Sequence, residues 1–233
     1  MLRSLVGSEM CIRDRAIEVY EEMETIGALQ GRGAEYYQKL GYALQKNKKY
    51  AEAIDAYLKA DTLKPDNIWN NRHLAICYRL NRNYQAALSY YKKVEEATPE
   101  DTNVIFHIGS CLAELGQYEE AANYFFKLDF IESNCIKAWR GIGWCSFISR
   151  KYEQAMKYYE KIIEQKPLAI DYMNAGHVAW TMGDIQKAAA LYGKSITANG
   201  NRERFLEMFR KDKEALLKQG IQEEDIPLML DLL

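Results

Sequence analysis

YAEAIDAYLKADTLKPDNIWNNRHLAICYRLNRNYQAALSYYKKVEEATP, residues 50–99, contains its own copy. Tyr50, Ala53, Tyr57 and Pro65 recur as Tyr84, Ala87, Tyr91 and Pro99, a step of 34 residues. The same step leads to Tyr118, Ala121 and Phe125, and then to Tyr152, Ala155 and Tyr159. Pro167 falls on the ruler too, with Ser133 at the mark before it. A fixed period of this length, with small and aromatic residues at set places, predicts an all-α fold, a helical solenoid of stacked units.

Within one period the apolar spacing is helical twice over. AEYYQKLGYALQK places Tyr37, Leu40 and Leu44 on one stripe, and YAEAIDAYLKADTL places Tyr50, Ala53, Ile54, Tyr57 and Ala60 on another. Asn47, Lys48 and Lys49 form the turn between them, and Pro65 stops the second helix before the next unit. Neither helix buries its face alone, so stacking of neighbours must supply the core. Gly41, Ala75, Gly109, Gly143 and Gly176 mark where the paired helices approach closely, with Ala53 and its equivalents opposite. A large residue at Ala87 or Ala121 would overpack that contact, at a cost of about 1–3 kcal/mol.

These residues resemble the tetratricopeptide repeat, with Tyr37, Leu40, Gly41, Ala53, Tyr57, Ala60 and Pro65 matching its signature in the first full unit. Trp139, Ile142, Gly143, Ala155 and Tyr159 match it in the fourth. The resemblance covers 16–202, with units at 34–67, 68–101, 102–135, 136–168 and 169–202, and it implies a right-handed superhelical solenoid of stacked helix-turn-helix repeats. The last is one residue out of step and lacks the proline, but Tyr172, Gly176, Ala188 and Tyr192 keep its place.

Residues 1–15 do not fit the repeat and read as a non-native segment resembling translated adaptor sequence. Residues 16–33, with Ala16 and Tyr20 at the small and aromatic positions, read as the second helix of a truncated repeat plus a linker. At the other end, 203–233 read as capping helices. RERFLEMFRKDKEALLKQ (202–219) carries the stripe Phe205, Phe209 and Leu216, Gly220 ends it, and Asp225-Ile226-Pro227 starts a shorter helix.

Composition narrows the function. The net charge of −2 gives no drive toward nucleic acid or a membrane surface, and no apolar run is long enough to span a bilayer. There is no Gly-rich phosphate loop, no His-Glu-x-x-His and no Cys-x-x-Cys, so neither an enzyme nor a cofactor or metal site is expected. Cys77, Cys111 and Cys145 share the tenth position of successive units and read as packing thiols, not a metal cluster. Cys135 sits in a turn and Cys11 in the N-terminal segment. Unpaired thiols favour a reducing, cytoplasmic setting.

The resemblance implies that first helices line a concave groove. The residues it would place there are Trp69, Arg72, His73, Ile76 and Arg79; Phe106 and His107; Lys137, Arg140, Trp144 and Phe147; and His177 and Trp180 beside Met173 and Asn174. Lys39, Lys46, Arg72, Arg79, Lys137 and Arg140 stand there against Glu35 and Glu114, a basic groove in an acidic chain. Such a groove suits a protein segment with apolar side chains and carboxylates. The carboxylate clamp of chaperone-binding family members is not matched: Arg72 and Lys137 fit it, whereas Ile76, His107 and Gly141 do not.

The expected function is therefore a non-catalytic protein–protein interaction scaffold. The alternative is a regulatory or sensor module of a larger protein, with an enzymatic or DNA-binding domain further toward the N-terminus. Reversal of charge at Arg72 and Arg140 together is expected to abolish partner capture and leave helicity unchanged. Partner identity and oligomeric state are not legible in the sequence.

Overall fold

A computed structural model describes residues 33–233, together with Arg15, Ile17, Glu18, Val19 and Glu22. Of the segment 1–15 only Arg15 is described, so Cys11 and the segment's expected foreign character lie outside the described residues, as do Ala16 and Tyr20. The described residues hold no strand. The helices are α1 (Gly33–Lys46), α2 (Tyr50–Leu63), α3 (Ile68–Leu80), α4 (Tyr84–Ala97), α5 (Thr102–Glu114), α6 (Tyr118–Ile131), α7 (Ile136–Ile148), α8 (Tyr152–Ile163), α9 (Ala169–Thr181), α10 (Ile185–Asn199), α11 (Arg202–Lys218) and α12 (Asp225–Asp231). The chain divides into a first unit ending at Leu115 and a second beginning at Gly116, and the division falls inside the third repeat.

In the first unit each helix packs on the next in chain order, and α1 also meets α3. The core is built from the repeat positions: Leu40, Leu44, Ala53, Tyr57, Leu74, Ala75, Ala87, Tyr91 and Ile108 are buried. Ile17 is buried in the same cluster as Tyr36 and Leu40, in the role that Ile54 plays one repeat later. In the second unit α6 to α10 follow the same order, α7 meets α9, and α11 packs on both α9 and α10. Phe205, Phe209 and Leu216 of α11 are buried, as the stripe predicts. α11 ends in a Schellman turn: Gly220 takes a left-handed φ of 101°, its N–H bonds Leu217 O, and the Ile221 N–H bonds Leu216 O.

Two repeat positions explain the local geometry. The small residue of the first helix lies under the aromatic ring of the second: a Cβ on Gly41, Gly143 or Gly176 would stand 2.8, 2.9 and 2.5 Å from Tyr57, Tyr159 and Tyr192. It is the ring, not the partner helix's backbone, that demands glycine there. The turn between paired helices repeats as well. Lys48, Arg82, Gly116, Arg150 and Gly183 all take left-handed φ, from 59° to 86°. In the four turns other than that at Gly116, the left-handed residue and the one after it donate back to the preceding helix, as Arg82 does to Arg79 O and Asn83 to Tyr78 O.

Three of those five positions carry a side chain in a conformation that glycine adopts without strain. Arg82→Gly should therefore stabilise the chain by about 0.5–1 kcal/mol, the relief of strain outweighing the greater freedom of glycine in the unfolded chain. The check is a higher urea midpoint at an unchanged m value.

Candidate functional site

In the first unit, α3 and α5 carry the expected groove residues, and α1 adds a neighbour. Trp69 is 43% exposed and Tyr42 41% exposed, with ring centroids 6.2 Å apart. Lys46 Nζ lies 5.0 Å from the centre of the Tyr42 ring. His73 forms the floor: its ring is 4.0 Å from Trp69 and stacks on Tyr57 at 5.6 Å and 25°. Gln45 Oε1 accepts from the Tyr57 hydroxyl at 3.0 Å and lies 2.8 Å from His73 Nδ1, locking the ring's orientation. Tyr42 and Gln45 went unremarked in the sequence, although they occupy the ninth and twelfth positions of the first full unit.

The expected groove histidines are largely ring-packing residues. His107 stacks on Tyr91 at 5.5 Å and 25°, repeating the His73–Tyr57 stack, with Phe106 against its edge. At the same repeat position Gly141 lies against Phe125, where a Cβ would come within 2.5 Å. Burial, and next the charges of Lys46 and Arg72, push the His73 pKa down to about 4, so this ring is neutral at pH 7.

The cations are also engaged. Arg72 Nη1 pairs with Asp101 Oδ2 at 2.8 Å, while Asp101 Oδ1 caps α5 through the Asn103 and Val104 N–H groups. Burial raises the Asp101 pKa, but the Val104 N–H, Arg72 and the Asn103 N–H outweigh it and the net shift is downward. Arg79 Nε donates to Tyr91 Oη at 3.4 Å. Beside it a cleft of about 260 Å³ is lined by Tyr84, Ser110 and Glu114. Ile76 is half-buried, and Lys39 and Lys46 are exposed.

In the second unit Lys137 pairs with Glu132 at 3.3 Å. Arg140 grips Asp171 with two hydrogen bonds of 2.7 Å, and Asp171 also accepts the Leu168 N–H at the start of α9. Asp171 in turn raises the Arg140 pKa through these bonds. Asp101, Glu132 and Asp171 lie in or beside the inter-repeat turns, so the basic excess counted along the first helices is substantially matched.

Trp144 is half-buried beside Phe147. Phe147, His177 and Trp180, expected to face a partner, are buried. Phe209 of α11 stacks on Trp180 at 6.4 Å and 28° and meets His177 edge-on at 5.4 Å. His177 Nδ1 lies 2.8 Å from Tyr192 Oη, and its Nε2 lies 3.5 Å from Asp212 of α11. Phe147 stacks on His177 at 6.4 Å and 27°. α11 thus covers His177 and Trp180, and Phe147 packs on His177 beneath them. Nothing in the repeat pattern signals this, because it depends on where a non-repeat helix lands.

Cys77, Cys111 and Cys145 are buried, and burial raises their thiol pKa values to about 12, 11 and 12, as packing thiols require. Cys135 is buried at the start of α7, its Sγ 3.2 Å from Glu132 Oε2. Among the described residues no group of His, Cys, Asp and Glu is placed to hold a metal, and no helix is long and apolar enough to cross a membrane.

Tetratricopeptide repeat family models match residues 79–145, and 34–67, 136–167 and 172–202. Together they cover most of the chain. The chain belongs to the tetratricopeptide repeat family. Solved structures share the fold, two of them described as tetratricopeptide repeat proteins. YrrB, described as having an unusual peptide-binding site, is 20% identical, with a TM-score of 0.64 over 79% of this chain and 97% of its own. A tetratricopeptide repeat protein from Parabacteroides merdae is 19% identical, with a TM-score of 0.67 over 99% of this chain and 95% of its own. MamA is 19% identical, with a TM-score of 0.65 over 73% of this chain and 94% of its own. No curated protein matches the sequence significantly. At these identities the likeness establishes the tetratricopeptide fold alone.

Proposed function

We propose that this tetratricopeptide protein is a non-catalytic scaffold that holds a segment of another protein on the first-helix face of its first unit. The observation that carries this reading is the Tyr42–Trp69 pair: two large rings, each about two-fifths exposed, standing on a floor already locked by Gln45, His73 and Tyr57. Exposed rings on a pre-ordered floor are the usual anchors of a protein interface, because they bury large area with little loss of side-chain freedom. Lys46 and Lys39 at the rim suit carboxylates on the segment, and Arg72, Arg79, Ile76, Phe106 and His107 extend the surface. The peptide-binding site of the fold relative YrrB is consistent with this use of the fold.

The double variant Tyr42→Ala/Trp69→Ala tests the reading. Its substitutions touch exposed rings and leave the packed positions intact. In capture from a lysate of source cells, the wild-type chain should retain a partner that the variant loses. Removal of either ring should weaken binding by about 2 kcal/mol, roughly thirtyfold in Kd. Identical captures with both baits would refute the site.

A further inference from the structure

α11 does more than close the stack. A helix that merely continued the repeat order would touch α9 and α10, and α11 does so through Phe205 and Phe209. Its C-terminal end goes further and is held by the α7–α8 turn. Arg150 donates to Lys218 O at 3.0 Å, Tyr152 Oη to Gln219 Oε1 at 2.9 Å, and Gln219 Nε2 to Ile148 O at 3.2 Å. Along this path α11 buries Trp180 and His177 and sets Asp212 against His177 Nε2. An apolar helix face seated on rings is how a groove recognises a helical ligand, and here a carboxylate beside a buried imidazole and polar hooks at the end add to it. Both joints of α11 are glycines in left-handed conformation, Gly200 at φ 83° and Gly220 at φ 101°, so a rigid helix stands between two permissive hinges.

We infer that the first-helix face of the second unit is a helix-binding site which α11 fills in cis, and that an amphipathic helix of a partner protein replaces α11 there. The side chains that α11 itself uses define the partner helix: aromatic rings at i and i+4, a carboxylate at i+7 and a leucine at i+11, as in Phe205, Phe209, Asp212 and Leu216. A tethered helix competes at an effective concentration of order millimolar, so a partner gains entry only when the hooks are loosened or its own contacts are better. This inference stands on the second unit and is independent of what the first unit holds.

The test uses the full chain and a fluorescent peptide of residues 202–220. Arg150→Ala/Gln219→Ala cuts the hooks at exposed or half-exposed side chains and spares the ring cluster. In anisotropy titrations that variant should bind the peptide at least about tenfold more tightly than the wild-type chain. A peptide carrying Phe209→Ala and Asp212→Ala should bind neither. A variant with unchanged helicity that binds the peptide no better than wild type would overturn the proposal and leave α11 a fixed cap. Where the variant loses helicity, native-state hydrogen exchange on the wild-type chain decides. Amides of α11 opening at lower free energy than those of α9 and α10 support displacement; opening together with them refutes it.

Discussion

Arg140→Ala should lower the unfolding free energy by about 2–4 kcal/mol. Asp171 has a side chain only 1% exposed, while the Arg140 side chain is 33% exposed. The carboxylate keeps one bond, from the Leu168 N–H, and loses both from the guanidinium. A buried charge left without its partner carries its desolvation cost uncompensated, and the partial exposure of Arg140 places the loss below that of a fully buried pair. The penalty should fall largely away in Arg140→Ala/Asp171→Asn, where no orphan charge remains. Urea unfolding of the single and double variants checks both halves. Arg140→Glu would be worse still, because it sets two carboxylates against each other. Charge reversal at Arg72 and Arg140, which the sequence offers as a clean probe of a basic groove, is therefore a folding lesion, since Arg72 likewise holds the Asp101 cap of α5.

Gly176→Ala should cost about 1–3 kcal/mol, and the matched change Gly193→Ala should do the opposite. The first Cβ at Gly176 would fall 2.5 and 2.7 Å from two carbons of the Tyr192 ring. That ring has no room to retreat: it is fully buried, bonded to His177 and packed against Phe205 and Phe209. Gly193 lies in α10 with nothing within 4 Å of an added Cβ, so alanine there gains helix propensity, about 1 kcal/mol, without a clash. Opposite signs for two glycines seventeen residues apart in adjacent helices would place the effect on ring packing and not on glycine as such. Thermal or urea unfolding reads both.

What the sequence made legible is what repetition determines. The special place of Gly41, Gly143 and Gly176, the buried tenth-position thiols and the stripe of α11 all follow from side chains recurring at helical spacing, although what crowds the glycines is the ring of the second helix and not the helix approach read from the sequence. The left-handed turn at Lys48, Arg82 and Arg150 was hidden, since these residues do not advertise positive φ as Gly116 and Gly183 do. The electrostatics were half legible. Counting cations on first helices found Arg72, Lys137 and Arg140, but Asp101, Glu132 and Asp171 sit in or beside the connecting turns, which a register count skips. The packing role of the histidines was hidden because the position that can face a ligand can also roof the ring of the preceding unit, as His73 does for Tyr57. His177 and Trp180 could not be placed from periodicity, because a helix outside the repeat covers them.

The most direct measurement is a selection of random peptides on the immobilised full chain, followed by titration of the enriched peptides against wild type and Tyr42→Ala/Trp69→Ala. A scaffold face on the first unit predicts enriched sequences that pair an apolar side chain with Asp or Glu and lose about thirtyfold or more in affinity on the variant. No enrichment, or peptides that bind wild type and variant alike, would contradict it.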